Sequence, residues 1–180
     1  MSEPSIALSL RLVDLNPAVV DAWRIAFRAS PEVRIYVGDI FEYARCCVVS
    51  PANSYGFMDG GIDAVYTKRF GNDLQLRLQD KIRRLDGQLL PVGASLLIET
   101  RDSTIPYMIS APTMETPGPV PSHNAFYAMA AVLNCWSKHS ELLPEVYCPG
   151  LCTDVGHVEP AMAAEEMAKA YGKWKARRDG

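Results

Sequence analysis

The acidic segment Gly38-Asp39-Ile40-Phe41 directly follows a predicted strand and offers a hydrogen-bond acceptor at the strand end. Gly38 lets the chain turn sharply, so that Asp39 presents its carboxylate beside newly exposed backbone amides. A carboxylate can accept the exocyclic amine of adenine, and a hydrogen bond to a charged group contributes about 1.5–3 kcal/mol. Aspartate is also common in turns and at helix caps. The segment therefore allows either a purine contact or a purely local role for Asp39.

A second segment, residues 50–63, has the sequence SPANSYGFMDGGID and connects a predicted buried strand to a predicted helix. The pair Gly60-Gly61 lets backbone amides approach an anion, and the dipole of the following helix points its positive end there. Asn53 offers an amide that can hold a ribose hydroxyl. The alternative is a plain connection whose glycines serve only close packing, and the pattern leaves both interpretations open.

A third segment, residues 149–157, has the sequence PGLCTDVGH and again lies between a strand and a helix. Two glycines and Thr153 suit a second anion-binding loop. A diphosphate held between two such loops needs neither metal nor lysine, because backbone dipoles supply the field. Asp154 opposes this, since two like charges 4 Å apart repel by about 4 kcal/mol at an effective dielectric of about 20. We expect Asp154 to point away from the phosphate, or the loop to bind it poorly.

Two reactive side chains stand in the third segment, His157 and Cys152. Histidine can carry protons near neutral pH, but we expect His157 to be a surface loop residue. Cys152 has no base beside it in the sequence, so a packed thiol is expected rather than a nucleophile. The five cysteines include no Cys-x-x-Cys pair and the three histidines are scattered. No metal site or cofactor is therefore expected, and a reducing, cytoplasmic environment fits the free cysteines.

The elements that must position these segments alternate along the chain. Apolar runs predict strands at 6–15, 33–37, 46–50, 94–99, 105–111 and 146–148. Helical periodicity predicts helices from about 17 to 29, 61 to 70, 72 to 85, 123 to 138 and 160 to 177. The polar turn between 99 and 105 predicts an antiparallel hairpin. This alternation is typical of an α/β three-layer α/β/α sandwich with a mixed central sheet, and we expect one domain over residues 1–180. Such sheets bind ligands at the carboxyl ends of their strands.

Two helix starts and one buried helix face are also predicted from local patterns. Asn16 is expected to cap the first helix, with Pro17 in its first turn, and Ser122 is expected to cap the helix that starts at His123. The buried stripe of the helix after the glycine pair is expected to consist of four residues at helical spacing, Ile62, Val65, Tyr66 and Phe70.

The composition excludes several classes of protein. Hydrophobic residues make up 48% and charged residues 22%, as in ordinary globular chains. The net charge of -3 supplies no positive field for a polyanion, so nucleic acid is not an expected partner. The first residues lack the basic start and apolar core of a signal peptide, and no apolar run is long enough to span a membrane.

The three segments, in this order and on these elements, resemble the motifs of the macrodomain family. Residues 38–40 resemble its Gly-Asp-Ile/Leu motif, whose aspartate recognises adenine. Residues 51–53 resemble the end of its Asn-Ala-Ala-Asn turn, whose last asparagine contacts the distal ribose. Residues 60–63 resemble the Gly-Gly-Val-Asp of its first phosphate loop, and residues 149–156 fall where the second phosphate loop belongs. The resemblance covers about residues 33–174.

The resemblance implies a fold, a ligand and a set of contacts. The expected partner is ADP-ribose or an ADP-ribosylated protein. The implied ligand contacts lie in all three segments: Asp39, Ile40, Asn53, Gly60, Gly61, Ile62, Gly150, Thr153, Asp154, Val155 and Gly156. The chain looks most like a branch with Ser-Pro-Ala-Asn-Ser in the first loop and Pro-Gly-Leu-x-Thr in the second. It departs from the glycines of that branch at Cys152, Asp154 and His157.

Catalysis is a further implication of the resemblance. Asp63 matches the aspartate that some hydrolytic macrodomains need near the distal ribose, where it can orient or deprotonate a water. The local alternative is that Asp63 only favours the helix start through the helix dipole. Three functions remain open: ADP-ribose binding, hydrolysis of an ADP-ribosyl linkage or of ADP-ribose 1''-phosphate, and a scaffold that has lost the ligand because of Asp154.

Overall fold

A six-stranded sheet forms the centre of the computed structural model, which describes residues 7–180. The strands are β1 (Ser9–Asp14), β2 (Arg34–Val37), β3 (Cys47–Ser50), β4 (Leu96–Glu99), β5 (Tyr107–Ser110) and β6 (Glu145–Cys148). Their order across the sheet is β2-β1-β6-β3-β5-β4. All neighbours are parallel except β4 and β5, which form the predicted antiparallel hairpin. The mixed sheet is confirmed, and Ile6 of the first predicted strand lies outside the described residues.

Helices cover both faces of the sheet. They are α1 (Pro17–Ala26), α2 (Ile40–Tyr43), α3 (Gly61–Phe70), α4 (Asp73–Arg83), α5 (His123–Lys138) and α6 (Pro160–Asp179). Alternate strand residues point to opposite faces. Val49 packs in a core with α1, α5 and α6, whereas Val48 packs in a second core with α2, α3 and α4. The result is the predicted three-layer sandwich. Within residues 7–180 no helix is both long and apolar enough to cross a membrane.

The two helix termini predicted from local patterns differ in outcome. At α1, the side chain of Asn16 accepts a hydrogen bond from the amide of Ala18 at 3.0 Å, and Pro17 stands in the first turn. At α5 the prediction is wrong, because Ser122 has helical backbone angles and makes no side-chain cap. An extended backbone is needed to turn a cap side chain back onto the first amides. Backbone bonds from Asn124 to Pro121 start that helix instead.

The face that α3 buries matches the predicted stripe except at Val65. Tyr66 is buried in the second core, and Ile62 and Phe70 pack against it. Val65 is 42% exposed, and Asp63 is buried instead. The hydroxyl of Tyr66 donates to the carbonyl of Val49 on β3 at 3.0 Å, which fixes this face against the sheet. The face of α3 that meets the sheet therefore includes the carboxyl group of Asp63, whereas apolar periodicity alone predicts Val65 to be buried.

The packing of α4 supports a stability prediction. Leu78 is fully buried in the second core, whereas Leu76 on the same helix is 62% exposed. We expect Leu78→Ala to lower the free energy of unfolding by about 3 kcal/mol, because it removes buried apolar surface and leaves a cavity. The matched change Leu76→Ala should cost less than about 0.5 kcal/mol. Urea denaturation followed by tryptophan fluorescence measures both, and equal losses would contradict the packing of α4.

Candidate functional site

A cleft of about 520 Å³ opens at the carboxyl-terminal edge of the parallel strands. Its lining follows all five of them: residues 14–16 after β1, 38–40 after β2, part of 51–63 after β3, part of 113–117 after β5, and part of 149–156 after β6. A cleft of this size accepts a ligand of nucleotide dimensions. The fold thus brings the three predicted segments together and adds residues from the end of β1 and from the loop after β5.

Asp39 is the N-cap of the short helix α2. Its Oδ1 accepts a hydrogen bond from the amide of Phe41 at 2.9 Å. Its Oδ2 makes no hydrogen bond within residues 7–180, and the residue is exposed at the cleft. Ile40 beside it also lines the cleft, although it is only 2% exposed. The local role of Asp39 is therefore present, and one carboxylate oxygen stays available for a ligand.

Asn53 organises the turn after β3. Its Oδ1 accepts from the amides of Tyr55 at 3.1 Å and Phe57 at 3.4 Å, and its Nδ2 donates to the carbonyl of Phe57 at 3.2 Å. The residue is 6% exposed and lines the cleft. An amide nitrogen carries two hydrogens, so one donor of Asn53 remains free of this network.

The start of α3 leaves backbone donors unpaired. Gly60 is the N-cap and supplies no side-chain bond, and Gly61 has a φ of 53°, which favours glycine. The amides of Gly61, Ile62 and Asp63 have no hydrogen-bond acceptor among the described residues. These amides carry the positive end of the helix dipole and line the cleft. They form an anion-binding surface made of backbone.

The second loop, residues 149–158, supplies a matching row of amides. Two backbone hydrogen bonds fold the loop back on itself. The amide of His157 donates to the carbonyl of Asp154 at 3.0 Å, and the amide of Val158 donates to the carbonyl of Cys152 at 2.9 Å. The amides of residues 153–156 have no acceptor among residues 7–180. A Cβ on Gly156 would lie 2.6 Å from the carbonyl oxygen of Cys152, so only glycine fits this fold of the loop.

Gly150 lines the cleft, but its backbone amide is already paired. Its amide donates to Oδ2 of Asp14 at 2.9 Å, so this amide is not available to an anion. Asp14 ends β1, and its Oδ1 accepts from the amide of Asn16 at 2.8 Å. Asp14 thereby ties the second loop to the end of β1. No sequence pattern marks this role, because Asp14 lies inside the predicted strand 6–15 and its partner Gly150 is distant in the chain.

Asp154 points across the cleft and not away from it. A Cβ placed on Gly61 would lie 2.9 Å from Oδ2 of Asp154. Of the two alternatives expected for Asp154, a side chain that points away from the phosphate does not occur, which leaves weaker phosphate binding by this loop. The loops after β3 and β6 come this close because the two strands are neighbours in the sheet, with Val48 paired to Tyr147.

The cleft contains acids but no basic side chain. Its acidic lining residues are all aspartates: Asp14, Asp39, Asp59, Asp63 and Asp154. No lysine, arginine or histidine of the described chain lines it. Attraction for an anion must therefore come from backbone amides and helix dipoles, as the sequence analysis expected. Within residues 7–180 no group of three acidic, histidine or cysteine side chains is arranged to hold a metal ion.

Asp63 is a buried acid beside the cleft. It is 6% exposed, and the hydroxyl of Ser50 at the end of β3 donates to its Oδ1. Burial raises the pKa of Asp63 to about 7, and the Ser50 hydrogen bond only partly offsets this. The protonation state of this carboxyl group therefore changes near neutral pH, whereas an exposed aspartate changes its protonation state at a more acidic pH.

The other reactive side chains of the second loop match the simpler expectations. Cys152 is 4% exposed, and burial raises the pKa of its thiol to about 12, so a nucleophilic thiolate does not form near neutral pH. His157 is an exposed loop residue.

The raised pKa of Asp63 predicts how stability depends on pH. The folded state holds the proton of Asp63 more tightly than the unfolded state, so this contribution to stability is lost as pH rises through about 7. From about pH 5 to about pH 8 the wild type should lose on the order of 2 kcal/mol relative to Asp63→Asn, whose side chain still accepts from Ser50.

Thermal unfolding over this pH range measures the difference. The control is Asp59→Asn, an exposed carboxyl just before the same helix, which should follow the wild type. Parallel curves for wild type and Asp63→Asn would contradict a buried, proton-binding Asp63.

Known proteins share this sequence and fold. The family model of the Macro domain matches residues 49–167. An uncharacterized protein of Aquifex aeolicus is 30% identical over 145 residues, which cover 80% of this chain and 83% of that protein. Among solved structures, an Oceanobacillus iheyensis macrodomain with ADP has a TM-score of 0.64 at 20% identity, covering 76% of this chain and 73% of that one. Thermosipho africanus DarTG in complex with ADP-ribose has a TM-score of 0.62 at 17% identity, covering 76% and 37%.

The two solved structures share the fold with this chain, and the sequence match contains the second and third segments but starts after residues 38–40. The family model starts within β3 and ends within α6, so it contains both loops that face each other across the cleft. Because the match spans residues 49–167, more than half of the 180 residues, this chain belongs to the macrodomain family.

Proposed function

We propose that the chain binds ADP-ribose, free or attached to a protein, in the cleft at the strand ends. The observation that carries this proposal is the pair of unpartnered amide rows, at the start of α3 and at residues 153–156, on either side of one cleft. The Oceanobacillus iheyensis and Thermosipho africanus structures, which contain ADP and ADP-ribose, support the same ligand class.

The adenine end of the ligand is assigned to Asp39. Its free Oδ2 accepts the exocyclic amine, while Oδ1 keeps the cap of α2. The two functions do not compete, because a carboxylate has two oxygens. Ile40 supplies an apolar contact at the same end of the cleft.

The diphosphate is assigned to the two amide rows. Gly60, Gly61 and Ile62 lie on one side, and residues 153–156 lie on the other. Backbone donors and a helix dipole favour a negative charge without a cation. This arrangement agrees with the absence of lysine, arginine and histidine from the described lining of the cleft.

The distal ribose is assigned to the end of the cleft near Asn53 and Asp63. The free hydrogen on Nδ2 of Asn53 donates to a ribose hydroxyl. Asp63 lies at the third position of α3 and is one of the residues that line the cleft. This assignment brings the anomeric carbon, where a protein would be attached, near Asp63, whose pKa is raised by burial to about 7.

Calorimetric titration with ADP-ribose tests binding and the adenine assignment together. Asp39→Ser keeps a good cap for α2 but is too short to reach the base. We expect it to weaken binding by about tenfold or more, as the loss of a hydrogen bond to a charged group implies. The control Glu42→Gln changes an exposed acid of α2 outside the cleft and should bind like the wild type.

Two results would count against these assignments. Unchanged affinity in Asp39→Ser would remove the adenine role of Asp39. Absence of any heat with wild type at millimolar ADP-ribose would favour the alternative of a scaffold that keeps the fold without the ligand.

Hydrolysis is the second candidate function, and the protonation behaviour of Asp63 favours it. As a general base, Asp63 takes a proton from a water whose oxygen bonds to the anomeric carbon while the bond to the modified side chain breaks. A base works best when its pKa lies near the operating pH, and the pKa of Asp63 is raised to about 7. The phosphate ester of ADP-ribose 1''-phosphate is an alternative substrate for the same water.

Release of ADP-ribose from an automodified transferase, followed by mass spectrometry, tests this function. We expect Asp63→Asn to lower the rate by about a hundredfold or more, the usual contribution of a general base. Its affinity for free ADP-ribose, measured by calorimetry, should stay within a few-fold of wild type. Equal turnover by wild type and Asp63→Asn would exclude Asp63 as the base.

A further inference from the structure

Asp154 stands opposite the positive end of α3 without a partner of its own. Its Oδ2 lies 2.9 Å from the position that a Cβ on Gly61 would take. The carboxylate makes no hydrogen bond or ion pair within residues 7–180. The nearest source of stabilisation is the group of unpaired amides at the start of α3.

The turn that contains Asp154 does not need this side chain. The bond that closes the turn runs from the amide of His157 to the backbone carbonyl of Asp154. The residue itself is exposed, so its side chain fills no cavity in the core. The folding of the loop therefore does not explain why a carboxylate stands at position 154.

The negative charge of Asp154 affects how a phosphate can bind in the cleft. A helix N-terminus favours a negative charge, whether that charge belongs to a phosphate or to a side chain. No basic side chain of the described residues lines the cleft to accommodate both charges at once. A phosphate entering the cleft must therefore move the carboxylate of Asp154 away or bear its repulsion.

We infer that Asp154 is a built-in competitor of the diphosphate: its carboxylate faces the start of α3 across the cleft, beside the unpaired amides, and lowers the affinity for phosphate-bearing ligands. The inference rests on the proposed function, since it concerns the same cleft. It makes Asp154 a residue that sets ligand specificity. Nucleosides without phosphate enter at no electrostatic cost, whereas diphosphates bind only against the competition of this carboxylate.

Calorimetry with two ligands and two variants tests the inference. Asp154→Asn keeps the shape of the side chain and removes its charge, and Asp154→Glu keeps the charge. We expect Asp154→Asn to bind ADP-ribose about tenfold more tightly than wild type, a change of the size that one charge at a helix terminus produces. Asp154→Glu should show no such gain. Binding of adenosine, which has no phosphate, should be the same in all three proteins.

Salt provides an independent readout. Repulsion between the exposed carboxylate and a phosphate is screened by ions, so the advantage of Asp154→Asn over wild type should shrink as ionic strength rises. A packing effect of the substitution would not depend on salt. Thermal unfolding of each variant confirms that the fold is intact.

The outcomes separate this inference from the proposed function. If wild type and Asp154→Asn bind ADP-ribose equally, or the variant binds more weakly, the competitor role is overturned while binding stands. If only Asp154→Asn binds ADP-ribose, the inference is supported, and Asp154 explains why the wild type shows no binding heat. If neither protein binds ADP-ribose, the proposed function fails, and Asp154 is not what blocks the ligand.

Discussion

Unpaired backbone amides at the ends of parallel strands are the feature on which this site depends. Main-chain N–H groups are strong hydrogen-bond donors, and those that begin α3 or lie in residues 153–156 find no acceptor within residues 7–180. They meet because β3 and β6 are neighbours in the sheet and run in the same direction. Parallel pairing thus converts two ordinary strand-to-helix connections into one surface of donors.

The shape of this surface is held by contacts between chain segments that are far apart in sequence. Asp14 at the end of β1 accepts a hydrogen bond from the amide of Gly150, near the start of the second loop. Gly156 lets the loop close on the carbonyl of Cys152. The amides are therefore oriented before any ligand arrives, and such preorganisation lowers the entropic cost of binding.

The charges of the cleft oppose its backbone. Five aspartates line it, as described above, and no basic side chain among the described residues does. Burial raises the pKa of Asp63 to about 7, so this residue is partly protonated near neutral pH and carries less negative charge. Asp154 is exposed beside the start of α3. The site is thus balanced between amide donors that attract an anion and carboxylates that repel it. That balance connects anion binding to proton binding in the same cleft.

The sequence by itself determined the layers and the location of the cleft. Apolar runs such as residues 46–50 and the helical periodicity of the segments between strands depend on local residue order, and composite motifs at 38–40 and 60–63 marked the strand ends. Only the tertiary structure decided which way the side chains there point. The burial of Asp63, the direction of Asp154 and the use of the Gly150 amide depend on neighbours distant in the chain. No local pattern contains those neighbours, because they are brought together by the order of strands across the sheet.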